Sequence, residues 1–276
     1  MEWKYFYSTV KGTSHISSGT EKQDNCDSVM LNINGNNYLV SVVADGAGSA
    51  KHSDISSAYV CKLFIRKTKQ WLEKDSIENL SREVVSTWFE YFQKVIKRLV
   101  SLYKLETTRD FATTVLYALL SENLNIFVQI GDGIIAISDE QELSAVFLPQ
   151  NGEFINTTNF ATQSNAKDIF MFKTSTEHVK QIAMHTDGIE QIAFDFANQK
   201  PFLPFFTMFF NAIENVKNIG YSESLSNQLE KFLQSERVNK KTDDDKTLFI
   251  AVCDKVLPPA EVVVVTEVTE GTDESQ

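Results

Sequence analysis

Residues 38–48 read Tyr-Leu-Val-Ser-Val-Val-Ala-Asp-Gly-Ala-Gly, an apolar run that stops abruptly at an acidic residue. The segment 38–44 is short, apolar and rich in β-branched side chains, which predicts a buried strand. Asp45 and Gly46 follow it directly, and an Asp-Gly pair taken alone is most often an ordinary turn. A carboxylate at a strand end is nevertheless held by a rigid element while it faces an accessible rim. This position is therefore a candidate for chemistry.

Acidic residues stand at the ends of other strand-like runs as well. Asp187-Gly188 directly follows one run, Asp243-Asp244-Asp245 directly precedes another, and Asp24 lies in a polar stretch ahead of a third. If these strand ends converge, the like charges repel one another unless a cation lies between them. Oxygen ligands select hard cations such as Mg²⁺ and Mn²⁺. The sequence has no cluster of Cys and His that would favour zinc, so it predicts a site for hard divalent cations.

The rest of the chain alternates helix and strand patterns. Helices are predicted at 54–71 and at 78–105. The second carries an apolar stripe at three- and four-residue steps, which we expect to face the core. The stripe consists of Val84, Trp88, Tyr91, Val95, Leu99 and Leu102. Further strands are predicted at 111–120, 124–130, 134–138, 168–172, 181–186 and 247–253.

Two short connections and one aromatic segment complete this pattern. Residues 121–123 and 131–133 combine Asn, Asp and Gly in ways typical of hairpin connections. The Phe-rich segment 194–213, which contains two prolines, is predicted to form a loop and a helix. Two long helices with many short strands indicate a layered α+β domain.

Composition excludes several classes of protein. With 276 residues, 42% hydrophobic and 23% charged, the chain has a globular composition and is near the upper size of one domain. No apolar run is long enough to cross a membrane, and the first residues lack the layout of a signal peptide. A net charge of −11 argues against nucleic-acid binding. Cys26, Cys61 and Cys253 lack metal-like spacing and are typical of a reducing cytoplasm, where we expect the protein.

The C-terminal end differs in composition from the rest. From Asp254 onward, six acidic residues stand against one basic residue. We predict a domain at residues 1–254 and an acidic, partly disordered tail at 255–276. Within that tail, Glu261–Thr266 is strand-like and could dock on a sheet edge or a partner; a solvated tail is the plain alternative.

The acidic landmarks appear together in a recognisable order. They are Gln23-Asp24, Val43–Gly48, Thr186–Gly188 and Asp244–Thr247. This order resembles the metal-dependent Ser/Thr protein phosphatases of type 2C, the PPM class, in their bacterial form. Ala112–Thr114 followed by Gly131–Gly133 is similar to that family's Gly-Thr-Thr and Gly-Asp-Ser pair. The resemblance covers about residues 10–253.

The resemblance implies both a fold and a metal site. The implied fold is a four-layer α-β-β-α sandwich, in which two antiparallel sheets pack face to face between helices. The implied site holds two or three Mn²⁺ or Mg²⁺ ions at one edge. Asp45 would bridge two metals and Gly46 would offer its carbonyl. Asp187 and Asp244 would complete one metal, and Asp24 would hold the other directly or through water.

A third metal and the closing motif are less defined. Asp110 lies near the position where some relatives carry a third-metal ligand, although a cap at the start of a strand is the alternative. Asp245 replaces the family's closing Asn. The choice of metal ligand among Asp243, Asp244 and Asp245 therefore stays open.

Other departures from the family pattern concern phosphate binding. Gln23 stands where the family has Glu, and because an amide is neutral, we expect one metal ion to bind less strongly. Gly19 stands where an Arg usually contacts phosphate. His15 is a candidate to contact phosphate instead, with a surface or strand histidine as the alternative. Ala47 occupies a position where some relatives have a histidine that acts as a general acid. We therefore assign catalytic roles to Asp45 and His15.

The resemblance implies a protein serine/threonine phosphatase that hydrolyses phosphoserine and phosphothreonine by means of a metal-bridged water. The implied partner is a phosphorylated protein, a Ser/Thr kinase or its target, and we expect a monomer that binds neither nucleic acid nor membrane. One alternative is a PPM-fold regulatory or binding module with weak or no turnover. Another is a different metal-dependent hydrolase such as a nuclease, which the acidic charge disfavours.

Overall fold

The computed structural model describes residues 1–138, 142–149 and 158–254. The strands are β1 Trp3–Val10, β2 Asn25–Ile33, β3 Asn36–Ala44, β4 Val115–Leu120, β5 Asn125–Ile130, β6 Ile134–Ser138, β7 Leu143–Ala145, β8 Met171–Ser175, β9 Gln181–His185, β10 Phe194–Asp195, β11 Lys200–Pro201, β12 Gly220–Tyr221 and β13 Lys246–Cys253. The helices are α1 Thr13–Ser18, α2 Ser53–Leu72, α3 Arg82–Leu102, α4 Ala166–Ile169, α5 Glu190–Ala193, α6 Leu203–Glu214, α7 Glu223–Leu233 and α8 Glu236–Asn239. The predicted tail at 255–276 lies outside the described residues, so its boundary stays a prediction.

Two large sheets form the centre of the molecule. One has the strand order β2-β3-β4-β5-β8 and the other β12-β1-β13-β9-β6-β7. Neighbouring strands in both are antiparallel, except that the two-residue strand β12 runs parallel to β1. Strands β10 and β11 form a separate small hairpin. The predicted antiparallel sheets are confirmed, with one parallel pair at an edge.

Helices cover the outer face of each sheet, and the inner faces pack against each other. Along β3, Val40 and Val42 pack towards α2 and α3, whereas Leu39 and Val43 pack between the sheets. Successive side chains of a strand point to opposite faces, so a strand buried on both faces reads as a continuous apolar run. This explains the run at 38–44 and confirms the four-layer α-β-β-α sandwich.

The long helix α3 departs from its predicted limits and from its predicted buried stripe. Residues 77–79 form a 3₁₀ turn, and the helix begins after Ser81, whose side chain accepts a hydrogen bond from the Val84 N–H. Tyr91 and Leu102 are 40% and 73% exposed. The buried positions are Val85, Trp88, Phe89, Phe92 and Ile96. Apolar residues occupy two overlapping stripes, and contacts of Phe89 with the core select the second one.

Three strand-level predictions are corrected by the structure. Strand β4 begins at Val115 because 108–111 form a 3₁₀ turn. Residues 166–169 are the helix α4, packed against α3, so β8 begins only at Met171. Residues 131–133 are not a hairpin, since β5 and β6 belong to different sheets and this segment crosses between them.

The remaining predictions for these segments agree with the structure. Residues 121–123 do join an antiparallel pair, β4 and β5. The aromatic segment forms a short hairpin followed by the helix α6. Within the three described ranges, no helix combines the length and apolarity that crossing a membrane requires.

Candidate metal centre

The ends of four strands bring the predicted aspartates to one edge of the sandwich. In the first sheet, Asn25 pairs with Ala44, so Asp24 and Asp45 extend side by side beyond the ladder. In the second sheet, β9 and β13 pair in antiparallel fashion, and Asp187 and Asp245 lie just beyond that ladder. The two sheets face each other, and therefore both pairs of acidic residues meet at a common rim.

The backbone around Asp45 is held by the segment 112–114. The Asp45 N–H donates to Thr114 Oγ1 at 2.9 Å, and the Thr114 N–H donates to the Asp45 carbonyl at 2.8 Å. The Ala47 N–H donates to the Ala112 carbonyl at 3.0 Å. These bonds bridge the chain on either side of Gly46, so the Gly46 carbonyl takes no part in them. A Cβ on Gly46 would lie 2.7 Å from the Gln23 carbonyl, which explains the need for glycine.

Asp45 and Asp187 form a close carboxyl pair. Burial raises the pKa of Asp45 well above its usual value, and the charges of Asp24 and Asp187 raise this pKa further. Burial also raises the pKa of Asp187, and the nearness of Asp45 partly offsets this rise. Two carboxylates this close repel each other when both are ionised, and a divalent cation relieves that repulsion.

Further carboxylates surround this pair. Burial raises the pKa of Asp132, and the charge of Asp244 raises it further. The charges of Asp132 and Asp244 likewise raise the pKa of Asp187. Burial and then the charges of Asp187 and Asp132 raise the pKa of Glu190 to about 7. The edge therefore concentrates negative charge well beyond the central pair.

Asp24 ties the two sheets together. Its Oδ2 accepts hydrogen bonds from Thr186 Oγ1 and from Thr247 Oγ1, each at 2.8 Å. The residue is buried, and burial is the main cause that raises its pKa, followed by the charge of Asp245. One oxygen of Asp24 is thus already used by two hydroxyl groups. This geometry favours the water-mediated form of the predicted metal contact.

Asp244 and Asp245 have different surroundings although they are neighbours. Asp245 is buried, and its Oδ1 accepts hydrogen bonds from the Gly12 N–H at 2.6 Å and from His15 Nδ1 at 2.9 Å. Its Oδ2 accepts from the backbone N–H groups of Gln23 and Asp24. The exposed Asp244 faces the charges of Asp132 and Asp187. Of the two, Asp244 is the one whose carboxylate is placed for a cation.

Two polar side chains face the loop that follows Gly46. A Cβ placed on Gly48 would lie 3.9 Å from His15 Nε2 and 4.0 Å from Gln23 Oε1. Within the described part of the chain, Gln23 Oε1 is buried without a hydrogen-bond partner. His15 is buried on α1 rather than on the surface or on a strand. Both atoms therefore point towards the loop that contains Gly48, and Gln23 offers an oxygen to a cation there.

Asp110 lies in the 3₁₀ turn at 108–111, and its carbonyl accepts a hydrogen bond from the His52 N–H at 2.8 Å. Its role as a third-metal ligand stays a prediction. Sequence reasoning did not single out the Asp132 carboxylate, although it lies in the Gly131–Gly133 motif, and its charge raises the pKa of Asp187. It also did not single out Glu190, three residues after Asp187, whose pKa the charge of Asp187 raises.

The oxygen donors suit a hard cation that keeps several of its waters, rather than one enclosed entirely by protein ligands. Among residues 1–138, 142–149 and 158–254, no three Asp, Glu, His or Cys side chains are already arranged to hold a metal ion. Mg²⁺ usually keeps several waters and binds proteins through one or two carboxylates. The pair Asp45 and Asp187, with amide and carbonyl oxygens nearby, fits this requirement. All ligands are oxygens, as Mg²⁺ and Mn²⁺ prefer.

The sequence matches known proteins over most of its length. A family model described as protein phosphatase 2C matches residues 11–234. The serine/threonine-protein phosphatase 3 of Escherichia coli (strain K12) is 32% identical over 258 residues, covering 91% of this chain and 99% of the relative.

Solved structures share the fold. The phosphatase Stp1 from Staphylococcus aureus matches with a TM-score of 0.59 at 13% identity, covering 91% of this chain and 95% of that one. The phosphatase PstP/Ppp from Mycobacterium tuberculosis matches with a TM-score of 0.61 at 11% identity, covering 92% of this chain and 100% of that one. At such low identity these likenesses concern the fold alone.

Proposed function

This chain belongs to the protein phosphatase 2C family and is a protein serine/threonine phosphatase, and on that basis we propose that Asp45 and Asp187 form the centre of its metal site. The observation that carries the proposal is that Asp45 and Asp187 lie just beyond the ends of strands in the two facing sheets, at one common edge. The family is metal-dependent. Two Mn²⁺ or Mg²⁺ ions, with a third beside them, would neutralise this edge.

Each nearby residue has a distinct part in holding the ions. Asp244 would join Asp187 in holding one ion, and the Gly46 carbonyl with Gln23 Oε1 would hold the other. Asp24, whose Oδ2 accepts from two threonine hydroxyls, would serve that second ion through water. This division follows from which oxygens are already engaged in hydrogen bonds and which face the loop.

A third ion has its own carboxylates. Asp132 raises the pKa of Asp187 by its charge, and the charges of Asp187 and Asp132 raise the pKa of Glu190, so these carboxylates lie near one another. We assign the third position to Asp132, with Glu190 beside it, in preference to Asp110. The repulsion among these three carboxylates gives a cation a reason to bind there.

The chain's own groups prepare the phosphoryl site. When bound, the ions supply a water of lowered pKa and positive charge for the phosphoryl oxygens. The bond from the Asp45 N–H to Thr114 Oγ1 fixes the backbone of Asp45 and with it the place of its carboxylate at the edge. Phosphate-monoester hydrolysis is extremely slow without a catalyst, so positioning and charge stabilisation have to provide most of the acceleration.

His15 is placed to contact the substrate phosphate. Asp245 accepts a hydrogen bond from its Nδ1, which fixes the ring and directs Nε2 towards the Gly48 loop. His15 Nε2 is thereby placed to contact a phosphate oxygen where Gly19 offers no side chain. His15 thus takes the part that an arginine plays in relatives.

The substrate is a phosphorylated protein. We propose that it is a Ser/Thr kinase or the target of one. A monomeric state, a cytoplasmic location and the lack of nucleic-acid or membrane partners stay predictions.

Hydrolysis of a phosphothreonine peptide in the presence of Mn²⁺ tests the proposed centre. Asp45→Asn and Asp187→Asn should each lower kcat/KM by at least about 100-fold, because each removes charge that holds the ions. Circular dichroism should show an unchanged fold. Asp75→Asn is the matched control, because Asp75 is exposed and lies between α2 and α3. This variant should keep wild-type activity. Unfolding of both site variants would make these carboxylates structural, and an inactive wild type would favour the non-catalytic alternative.

A further inference from the structure

An apolar groove of about 540 Å³ lies among α5, α6, α7 and α8. Phe202 and Met208 line it and are 45% and 49% exposed. Ile192 and Phe232 line it as well. Large apolar side chains left open to water in one place mark a binding surface more often than chance exposure. None of the residues that line the groove is assigned to the metal centre, although Gln191 and Ile192 directly follow Glu190.

Basic side chains border this groove in a protein that is acidic overall. Arg237 and Lys241 line it beside the apolar residues, whereas the net charge of the chain is −11. The acidic Asp195 also lines the groove, but its carboxylate is engaged by the Asn198 side chain and by backbone N–H groups. The groove therefore suits an apolar segment that carries negative charge.

The chain itself contains such a segment. Residues 261–267 read Glu-Val-Val-Val-Val-Thr-Glu, four consecutive valines flanked by acidic residues. They lie outside the described residues. Their valines match the apolar lining of the groove, and Glu261 and Glu267 match the two basic residues that border it.

The position of Asp254 brings this segment within reach of the groove. Asp254 Oδ2 lies 2.7 Å from Lys4 Nζ, and the same Nζ donates to the carbonyl of Glu214, the last residue of α6, at 3.4 Å. Met208 is six residues before that carbonyl, about 9 Å along the helix. The six residues 255–260 span up to about 20 Å when extended. Residues 261–267 can therefore reach Met208 without any rearrangement of the described fold.

We propose that residues 261–267 bind in the groove of their own chain, with the valines against Phe202 and Met208 and the acidic residues against Arg237 and Lys241. The path follows the exposed face of α6, on which Met208 and Asn211 lie. Apolar burial provides the binding, and the flanking acidic residues favour this basic-bordered groove over the rest of an acidic surface.

Methyl NMR of the full-length protein, labelled at the methionine methyl groups, tests this proposal. Met208 is the reporter, and Met184, buried between the sheets, is the internal reference for an intact fold. Val263→Asp/Val264→Asp should move the Met208 resonance by more than its linewidth and leave Met184 unchanged. The matched control Thr272→Asp/Ser275→Asp adds the same charge outside the segment and should leave both resonances in place.

A charge exchange separates binding from nonspecific effects. Arg237→Glu/Lys241→Glu should also displace the Met208 resonance, and adding Glu261→Lys/Glu267→Lys should return it towards the wild-type position. An identical Met208 resonance in the wild type and in Val263→Asp/Val264→Asp overturns the proposal. A Met208 shift that grows with protein concentration, together with a doubled mass in light scattering, also overturns it, because the segment would then come from a second copy.

Discussion

The Nδ1 atom of His15 lies 2.9 Å from Oδ1 of Asp245, and both side chains are buried. The same carboxylate receives the backbone N–H groups of Gly12 and Gln23. Asp245 therefore joins the N-terminal segment to the start of β13 instead of facing the cation edge. The neighbouring Asp244 is exposed and faces that edge, so the two adjacent aspartates have separate tasks.

Asp245→Ala and Asp244→Ala should have opposite effects. The first leaves several buried N–H groups without an acceptor and should lower the free energy of unfolding by about 3 kcal/mol. The second should change it by no more than about 0.5 kcal/mol but should abolish Mn²⁺-dependent hydrolysis. Urea unfolding and a phosphopeptide assay measure the two effects. A stable, inactive Asp245→Ala protein together with an active Asp244→Ala protein would reverse the assignment.

His15→Gln should lower kcat/KM while leaving the fold intact. A hydrogen bond to a charged group is worth about 1.5–3 kcal/mol, which corresponds to roughly a 10- to 100-fold loss. Steady-state kinetics on a phosphothreonine peptide measures it, and circular dichroism checks the fold. His52→Gln is the matched control, because the His52 ring packs on Tyr103 and Phe111 and is not assigned to the phosphate site. Equal losses in both variants would remove His15 from the phosphate site.

Gln23→Glu should strengthen the binding of one metal ion and lower the stability of the metal-free protein. A carboxylate at this buried position repels its acidic neighbours without a cation and binds a cation more strongly than an amide. Melting temperature without metal should fall, and the apparent Mn²⁺ affinity in the activity assay should rise roughly tenfold. Unchanged Mn²⁺ affinity would mean that Gln23 does not serve a metal.

Asp132→Asn and Asp110→Asn distinguish the two candidates for the third position. Asp132 lies within the charge network of Asp187, and its replacement should lower kcat by roughly tenfold or more. Asp110→Asn, at the 3₁₀ turn, should leave kcat unchanged. Turnover at saturating Mn²⁺ measures both. A larger loss for Asp110→Asn would restore the original prediction from the sequence.

The sequence was a reliable guide where local pattern and burial agree. Strands β3, β9 and β13 are buried on both faces, so their apolar runs identified them directly. The acidic residues at their ends could be placed because a strand end fixes the residue that follows it. The central pair, Asp45 and Asp187, was therefore predictable.

Pairing between distant segments could not be predicted in the same way. Residues 131–133 have the composition of a turn, and only the arrangement of the sheets shows that they cross from one sheet to the other. Likewise, the choice between Asp244 and Asp245 depends on backbone N–H groups more than 200 residues away in sequence. Local composition contains no information about either.

Thermal unfolding with and without Mn²⁺ tests the central claim, that the carboxyl pair of Asp45 and Asp187 binds divalent cations. At a concentration about 100 times the dissociation constant, Mn²⁺ should stabilise the wild type by about 2.7 kcal/mol, which raises the melting temperature by roughly 5–10 °C. Asp45→Asn and Asp187→Asn should lose this rise, and without metal they should melt at or above the wild-type temperature, because each removes one of several mutually repelling carboxylates. An equal rise in all three proteins, or none in the wild type, would contradict the account.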